Sequence, residues 1–248
     1  MFLNEKTRRI VRAPLLILFY IVIWQLLSIA VGSSLLLPSP GETVKALISI
    51  LADIKSWQNI GATFLRLIIG FGIGSILGIV LATVTASSRF FYMVLAPLRL
   101  IIKSTPVLSF VLILLVSLYS NIVPIAVCAI MVTPMLWATT ETAILSIDPK
   151  LTEMGKIYYK PIRRIFLVDV PQMFPQIATS AVTALGFAWK AVITAEVLSL
   201  PRFAVGNRMY LSKLYLETPD MFAWTLLVIA LSLCLEMALR MLTSRLEK

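Results

Sequence analysis

The chain has 248 residues, of which 59% are hydrophobic and 14% charged, with a net charge of +10 and a pI near 9.9. Its mean hydropathy of +0.95 is far above that of an ordinary globular domain, and its apolar residues fall in runs long enough for a bilayer of roughly 30 Å, which takes about 20 helical residues. This is the composition of an all-α polytopic membrane protein. It has no histidine, and Cys128 and Cys234 both lie inside apolar runs, which argues against a disulfide framework, a zinc or other metal site and histidine acid–base chemistry. The basic residues gather at the ends of apolar runs without interleaved aromatics, which points to membrane orientation and away from nucleic acid.

In chain order, Lys6, Arg8, Arg9 and Arg12 precede an apolar run from about Pro14 to Val31. That run is too long for a signal peptide and no small-residue cleavage site follows it, so it reads as a retained first span with its N-terminus inside. Next, Ser39, Pro40 and Glu42 form an S-x-x-E capping box with proline at the first helical position. The helix they open carries Val44, Leu47, Ile48, Leu51 and Ile54 on one face and Lys45, Ser49 and Asp53 on the other, the pattern of a short helix in the outer interface.

The second span runs from about Ile60 to Ala86. Gly70, Gly74, Gly78 and Ala82 recur in it every four residues, a smooth stripe that lets another helix approach closely, either as a pivot or as static packing. Arg66, one turn earlier on that stripe, reads as a cation snorkelling to the outer interface. The third run, about Met93 to Tyr119, is interrupted by Pro97 and by Lys103–Ser109. Ser104, Thr105, Pro106 and Ser109 there are candidates for a solute path, with an ordinary proline kink as the alternative. A fourth span covers about Ile122 to Leu145, a fifth Phe174 to Val197 and a sixth Met221 to Leu242.

Between the fourth and fifth spans lies a charged island, Leu151 to Pro171, with Lys156, Lys160, Arg163 and Arg164, which must lie outside hydrocarbon. With six helices and both termini in the cytoplasm, fifteen basic residues fall inside (Lys6, Arg8, Arg9, Arg12, Arg89, Arg99, Lys103, Lys150, Lys156, Lys160, Arg163, Arg164, Arg240, Arg245, Lys248) and five outside (Lys45, Lys55, Arg202, Arg208, Lys213). The island is therefore cytoplasmic.

No phosphate-binding Gly-x-x-x-x-Gly-Lys-Ser/Thr motif is present, since GFGIGSILG lies within a span and lacks the lysine; no catalytic constellation is found either. Glu236 reads as an interfacial snorkelling residue. Lys190 and Glu196, in FAWKAVITAEVLSLP, are costly in a span unless paired or facing water. Six residues apart, they lie on nearly opposite helix faces, so partners must come from other helices. With Trp189 they stand as path candidates beside the reading of a structural pair or an outer-interface snorkel.

The island resembles the coupling loop of bacterial ABC importer permeases, whose pattern is Glu-Ala-Ala, three residues, Gly, then a spacer to Ile-x-Leu-Pro. Glu153 matches the glutamate, Met154 and Gly155 stand for the alanines, and Val170 and Pro171 for Leu-Pro. Tyr159 occupies the glycine position and the spacer is one residue shorter. LLPSPGETV, STPVLSF, FAWKAVITAEVLSLP and ETPDMFAWTLLVIALSLCLE are similar to the nitrate/sulfonate/taurine-type branch, so the likeness covers nearly the whole chain.

The resemblance implies about six transmembrane helices in a type I ABC importer permease (MetI-like) architecture in the bacterial inner membrane. It implies an N-terminal segment 1–57, a permease core 58–242 with a coupling loop 148–172, and a tail 243–248. It also implies partners: a second permease copy, ABC ATPase subunits that bind ATP and Mg, surrounding lipid, and an extracytoplasmic binding protein that delivers a nitrate-, sulfonate- or taurine-like anion or a thiamine-related pyrimidine. Glu153, Met154, Gly155, Lys156, Tyr158, Tyr159, Arg163, Arg164 and Pro171 would meet the ATPase. Ile157, Tyr158, Ile162, Ile165 and Phe166 supply the apolar anchor for such a groove. An ion-driven secondary transporter or a channel explains the spans equally well but leaves the island without a task.

Overall fold

The computed structural model describes residues 5–246, with side chains over 15–241. The side chains of Lys6, Arg8, Arg9, Arg12 and Arg245, and Lys248 itself, counted above for orientation, lie outside the described residues, as do the side chains of the whole tail 243–248. Eleven α-helices and one π-turn follow in order: α1 (Glu5–Val31), α2 (Pro40–Ala52), α3 (Ile54–Ser87), α4 (Arg89–Ser104), α5 (Val107–Ser117), α6 (Val123–Leu145), α7 (Pro149–Tyr158), α8 (Pro161–Arg164), the π-turn (Ile165–Asp169), α9 (Val170–Ser199), α10 (Val205–Leu214) and α11 (Thr218–Leu246). The chain divides into two units, Met1–Trp57 with Arg208–Ile229, and Gln58–Asn207 with Ala230–Lys248.

In the first unit, α1 turns back at Gly32, whose φ of +66° suits a residue without Cβ. The turn is pinned from three sides. Trp24 Nε1 donates to Pro38 O at 3.0 Å, Ser28 Oγ to Leu37 O at 3.0 Å and Thr218 Oγ1 to Leu35 O at 2.7 Å. The capping box then forms: Glu42 N donates to Ser39 Oγ at 3.2 Å, and Ser39 N to a Glu42 carboxylate oxygen at 2.8 Å. The expected apolar face is shorter than the pattern implied. Asp53 is extended (φ −85°, ψ 121°), so α2 stops at Ala52 and Ile54 opens α3 instead; Thr43 and Ile50 face inward, while Val44, Ile48 and Leu51 are exposed and suited to lipid.

The second unit is built on α6 packed along α9. Val127, Cys128, Val132, Leu136 and Trp137 of α6 and Ala184, Ala188, Trp189, Val192 and Ala195 of α9 are buried, and the alanines on α9 let the two backbones close in. On another side of α6 lies the glycine stripe of α3. A Cβ on Gly70 would sit 2.6 Å from Cys128 Cβ, on Gly74 2.7 Å from Ala129 O and on Gly78 2.9 Å from Thr133 O, and Ala82 is fully buried. The stripe is thus a close helix–helix contact, without a Cβ at three of its four positions. Val111 of α5 joins Val123, Val127, Ala191 and Ala195 in a further core.

Among the described residues, four helices, over Ile54–Ser87, Val123–Leu145, Pro161–Ser199 and Thr218–Met241, are long and apolar enough to cross a membrane. The third apolar run departs from expectation: it is not one kinked span but two helices, α4 and α5, bent by 100° at Thr105–Pro106, and counting them as a broken span gives five. Thr105 precedes a proline and is held extended (ψ 128°), while Pro106, lacking an N–H, caps α5. Leu15–Val31 forms a shorter apolar helix.

Candidate functional site

The charged island folds as a hairpin of α7 against α8 and the π-turn. Asp148 caps α7, its side chain accepting from Lys150 N at 2.8 Å, with Pro149 at the first helical position. Its own N–H donates to Gln172 Oε1 at 3.1 Å, which closes the base of the loop. Inside the hairpin, Asp169 accepts from Thr152 Oγ1 (3.2 Å) and Arg164 Nε (3.3 Å), while the Arg164 stem packs on Gly155, where a Cβ would come 2.9 Å from Arg164 Cγ. Tyr159, in the place of a glycine, has φ −131° and ψ 143°, extended backbone that any residue adopts, so the turn has no need of glycine. The π-turn follows from Pro171: without an N–H it removes the helical bond to Leu167 O, and Val170 N donates five residues back to Ile165 O.

This arrangement buries Gly155 and Asp169, keeps Thr152 and Arg164 half-buried between the arms and turns most other side chains outward. Glu153, Met154, Lys156, Tyr158, Tyr159, Arg163 and Pro171 are exposed, as are Ile157 (79%), Ile162 (74%) and Phe166 (68%). A folded hairpin presenting apolar tips between basic side chains is suited to a groove with an acidic rim. Asp169 and Thr152, which hold it together, carried no signal in the sequence beyond one acidic residue ahead of Val-Pro.

At the opposite end of α9, Glu196 is fully buried. Its carboxylate accepts from Arg66 Nη1 (2.8 Å), Thr63 Oγ1 (2.9 Å) and Gly206 N (3.2 Å), and Arg66 also donates to Phe203 O (2.7 Å) and Asn121 Oδ1 (3.3 Å). Asn59 and Thr63, on the same face of α3, accept from Ala204 N (3.1 Å) and Val205 N (3.0 Å), so that this face caps the N-terminus of α10. Arg66 is therefore no snorkelling residue; it is 9% exposed, because its partner sits on another helix. Trp189 is also interior, at 1% exposure, edge-on to Phe64. Lys190 points away from both, exposed, with Nζ 6.0 Å from the Phe187 ring centre.

A second charged pair was missed by sequence reasoning: Arg99 of α4 bonds Glu141 of α6 and stacks 5.3 Å over the Trp137 ring, whose Nε1 donates to Thr85 Oγ1 at 3.0 Å. An acidic residue within the fourth apolar run was the available signal. Glu236, read as interfacial, pairs with Arg240 one turn on at 2.7 Å.

Between α6 and α9 opens a cleft of about 690 Å³ lined by Thr139, Gln176, Thr179, Ser180 and Thr183, with Met135 and Pro175, and by Lys103 from the end of α4. Lys103 is the sole charge in that lining. Thr179 and Thr183 donate to the carbonyls of Pro175 and Thr179, so they offer oxygen lone pairs to the cleft. The hydroxyls expected on the path, Ser104 and Thr105, both donate to Ile101 O beside the bend, and Ser109 N bonds Pro106 O.

Residues 74–248 match the family described as binding-protein-dependent transport system inner membrane component. The nitrate import permease NrtB of Synechocystis sp. is 25% identical, covering 77% of this chain and 72% of that protein. The putative aliphatic sulfonates transport permease SsuC of Escherichia coli is 30% identical over 72% of this chain and 69% of that protein. Among solved structures, the MetNI methionine ABC transporter in an inward-facing conformation superposes with a TM-score of 0.62 at 16% identity, covering 77% of this chain and 94% of that one.

Proposed function

Because this chain belongs to the binding-protein-dependent transport system inner membrane components, it is a permease subunit of an ABC importer, and we propose that it carries a small oxyanion, drawing its energy through the α7–α8 hairpin. The observation that carries the reading is the hairpin: latched from within by Asp169 and Gly155, it exposes an apolar and basic tip that nothing covers among the described residues. In this reading an ABC ATPase pair binds ATP and Mg, receives the hairpins of two permease copies and moves the spans between inward-open and outward-open states. The six-helix count and the cytoplasmic termini belong to the same proposal.

The cleft between α6 and α9 supports the solute class. Relatives named for nitrate, aliphatic sulfonates and bicarbonate carry oxyanions. Lys103 supplies the single cation for such a solute here. A second reading, a thiamine-related pyrimidine, is favoured by the lone pairs that Thr179 and Thr183 present, which suit a solute bearing N–H donors.

Co-purification tests the coupling. Gly155→Glu places a long side chain where Arg164 and Val168 already sit, and the ATPase should be lost from the detergent-solubilised complex while the permease still inserts; Glu153→Ala, on the exposed face, should weaken retention with the hairpin intact. Unchanged retention in both removes the hairpin from the coupling role. Uptake competition by nitrate, taurine and an aminopyrimidine separates the two solute readings.

A further inference from the structure

One cleft in the first unit is used by nothing described so far. It measures about 350 Å³ and lies where the end of α2 and the start of α3 meet α10 and the turn into α11. Its wall carries Asp53, Glu217 and Asp220 against a single cation, Arg208, with Ser56 and Ser212 between them. Among the described residues no salt bridge joins Arg208 to any of the three carboxylates. Asp53 Oδ1 accepts from Lys55 N at 3.1 Å, leaving its second oxygen open. The acids at the head of α11 complement the helix dipole, which accounts for Asp220 alone.

The serines point to a ligand. Ser56 and Ser212 are each 5% exposed and line the cleft, and neither hydroxyl makes a hydrogen bond among the described residues; neither oxygen is sealed off, so both are open on the cleft side to a ligand's donors. A bare metal ion does not fit, because among the described residues no group of three or more carboxylate, thiol or imidazole side chains is close enough to hold one. The wall instead offers spread acceptors, several carboxylate oxygens and two hydroxyls, which match a wide, planar cation with many donors. A guanidinium, with five N–H groups in a rigid fork, has that shape.

We propose that this cleft is a socket for an arginine side chain of the extracytoplasmic binding protein. The inference rests on the importer reading above, and on the charge count that places both α2 and the α10–α11 turn on the outer side. Charge complementarity selects the occupant: the acids outnumber Arg208, so the approaching surface must be basic.

The test uses the assembled permease–ATPase complex in lipid nanodiscs, titrated with its purified cognate binding protein, with ATP hydrolysis as the readout. Asp53→Asn with Glu217→Gln should raise the half-saturating concentration of binding protein about tenfold, the sum of two charge contacts of rim strength, and flatten its salt dependence. Ser212→Val, which narrows the socket without changing charge, should shift it in the same direction and decides the matter if the double variant fails to assemble. Stimulation with unchanged half-saturation in the assembled variants overturns the socket alone. Absence of stimulation in the unaltered complex overturns the importer reading and the socket with it. Sub-millimolar calorimetric binding of free arginine amide without any binding protein makes the cleft a solute site and also overturns the proposal.

Discussion

At the scale of single residues, the costliest group is the Glu196 carboxylate, fully buried and held by Arg66, Thr63 and Gly206 N. Arg66→Met leaves that charge without its counter-ion, a loss of about 3–5 kcal/mol. The melting temperature of the detergent-purified complex should fall by roughly 10 °C, taking about 2–4 °C per kcal/mol for a chain of this size. Adding Glu196→Gln removes the stranded charge and should restore more than half of the loss, and a double variant as unstable as the single one would contradict the pair. Lys190 differs in kind: it is exposed, and among the described residues no ion pair is formed with it. Lys190→Met should leave the melting temperature unchanged, and an uptake assay on the same preparation reports whether the charge meets the solute. That Lys190 and Glu196 lie on different faces of the helix could be read from their spacing. That Glu196 turns to Arg66, 130 residues earlier, could not.

At the scale of elements, the α3 stripe separates glycines that the sequence presents alike. Gly72 has nothing within 4 Å of where its Cβ would be, whereas Gly74 would meet Ala129 O at 2.7 Å and Val132 Cβ at 2.8 Å. Gly72→Ala should therefore be neutral or gain up to about 1 kcal/mol from helix propensity. Gly74→Val must push α6 away and should cost at least about 1–3 kcal/mol, read as lost yield and lower melting temperature. Equal behaviour of the two variants would mean that α3 does not pack on α6 along this stripe. The four-residue period identified the stripe, but nothing local identified α6 as the helix it meets. The third apolar run shows a related limit: its prolines signalled a break, while the 100° bend depends on Thr105 being held extended with Pro106 opening a new helix.

At the scale of the whole molecule, the proposed coupling through the hairpin makes ATP hydrolysis a property of a partner subunit. The purified chain alone should hydrolyse no ATP, and co-expression with its ABC ATPase should produce hydrolysis that a chelator of Mg abolishes; turnover by the chain alone, with contaminating ATPases excluded, would contradict this. The hairpin is the element through which that coupling would pass, and its resemblance to a known loop was legible despite Tyr159, since the extended backbone there tolerates any side chain.

The sequence by itself determined what depends on local chemistry. Apolar length marks the helices, Ser39 and Glu42 start α2, and the basic residues of Leu151 to Pro171 keep that island out of hydrocarbon. Only the tertiary structure decided what depends on which faces meet: the Arg66–Glu196 and Arg99–Glu141 pairs, the hold of Asp169 on Thr152 and Arg164, the Lys103 cleft and the socket beside Asp53. Hydropathy and capping act within a few residues along the chain, whereas a buried charge is satisfied by whichever helix packs against it, and that choice follows from the shapes of both surfaces.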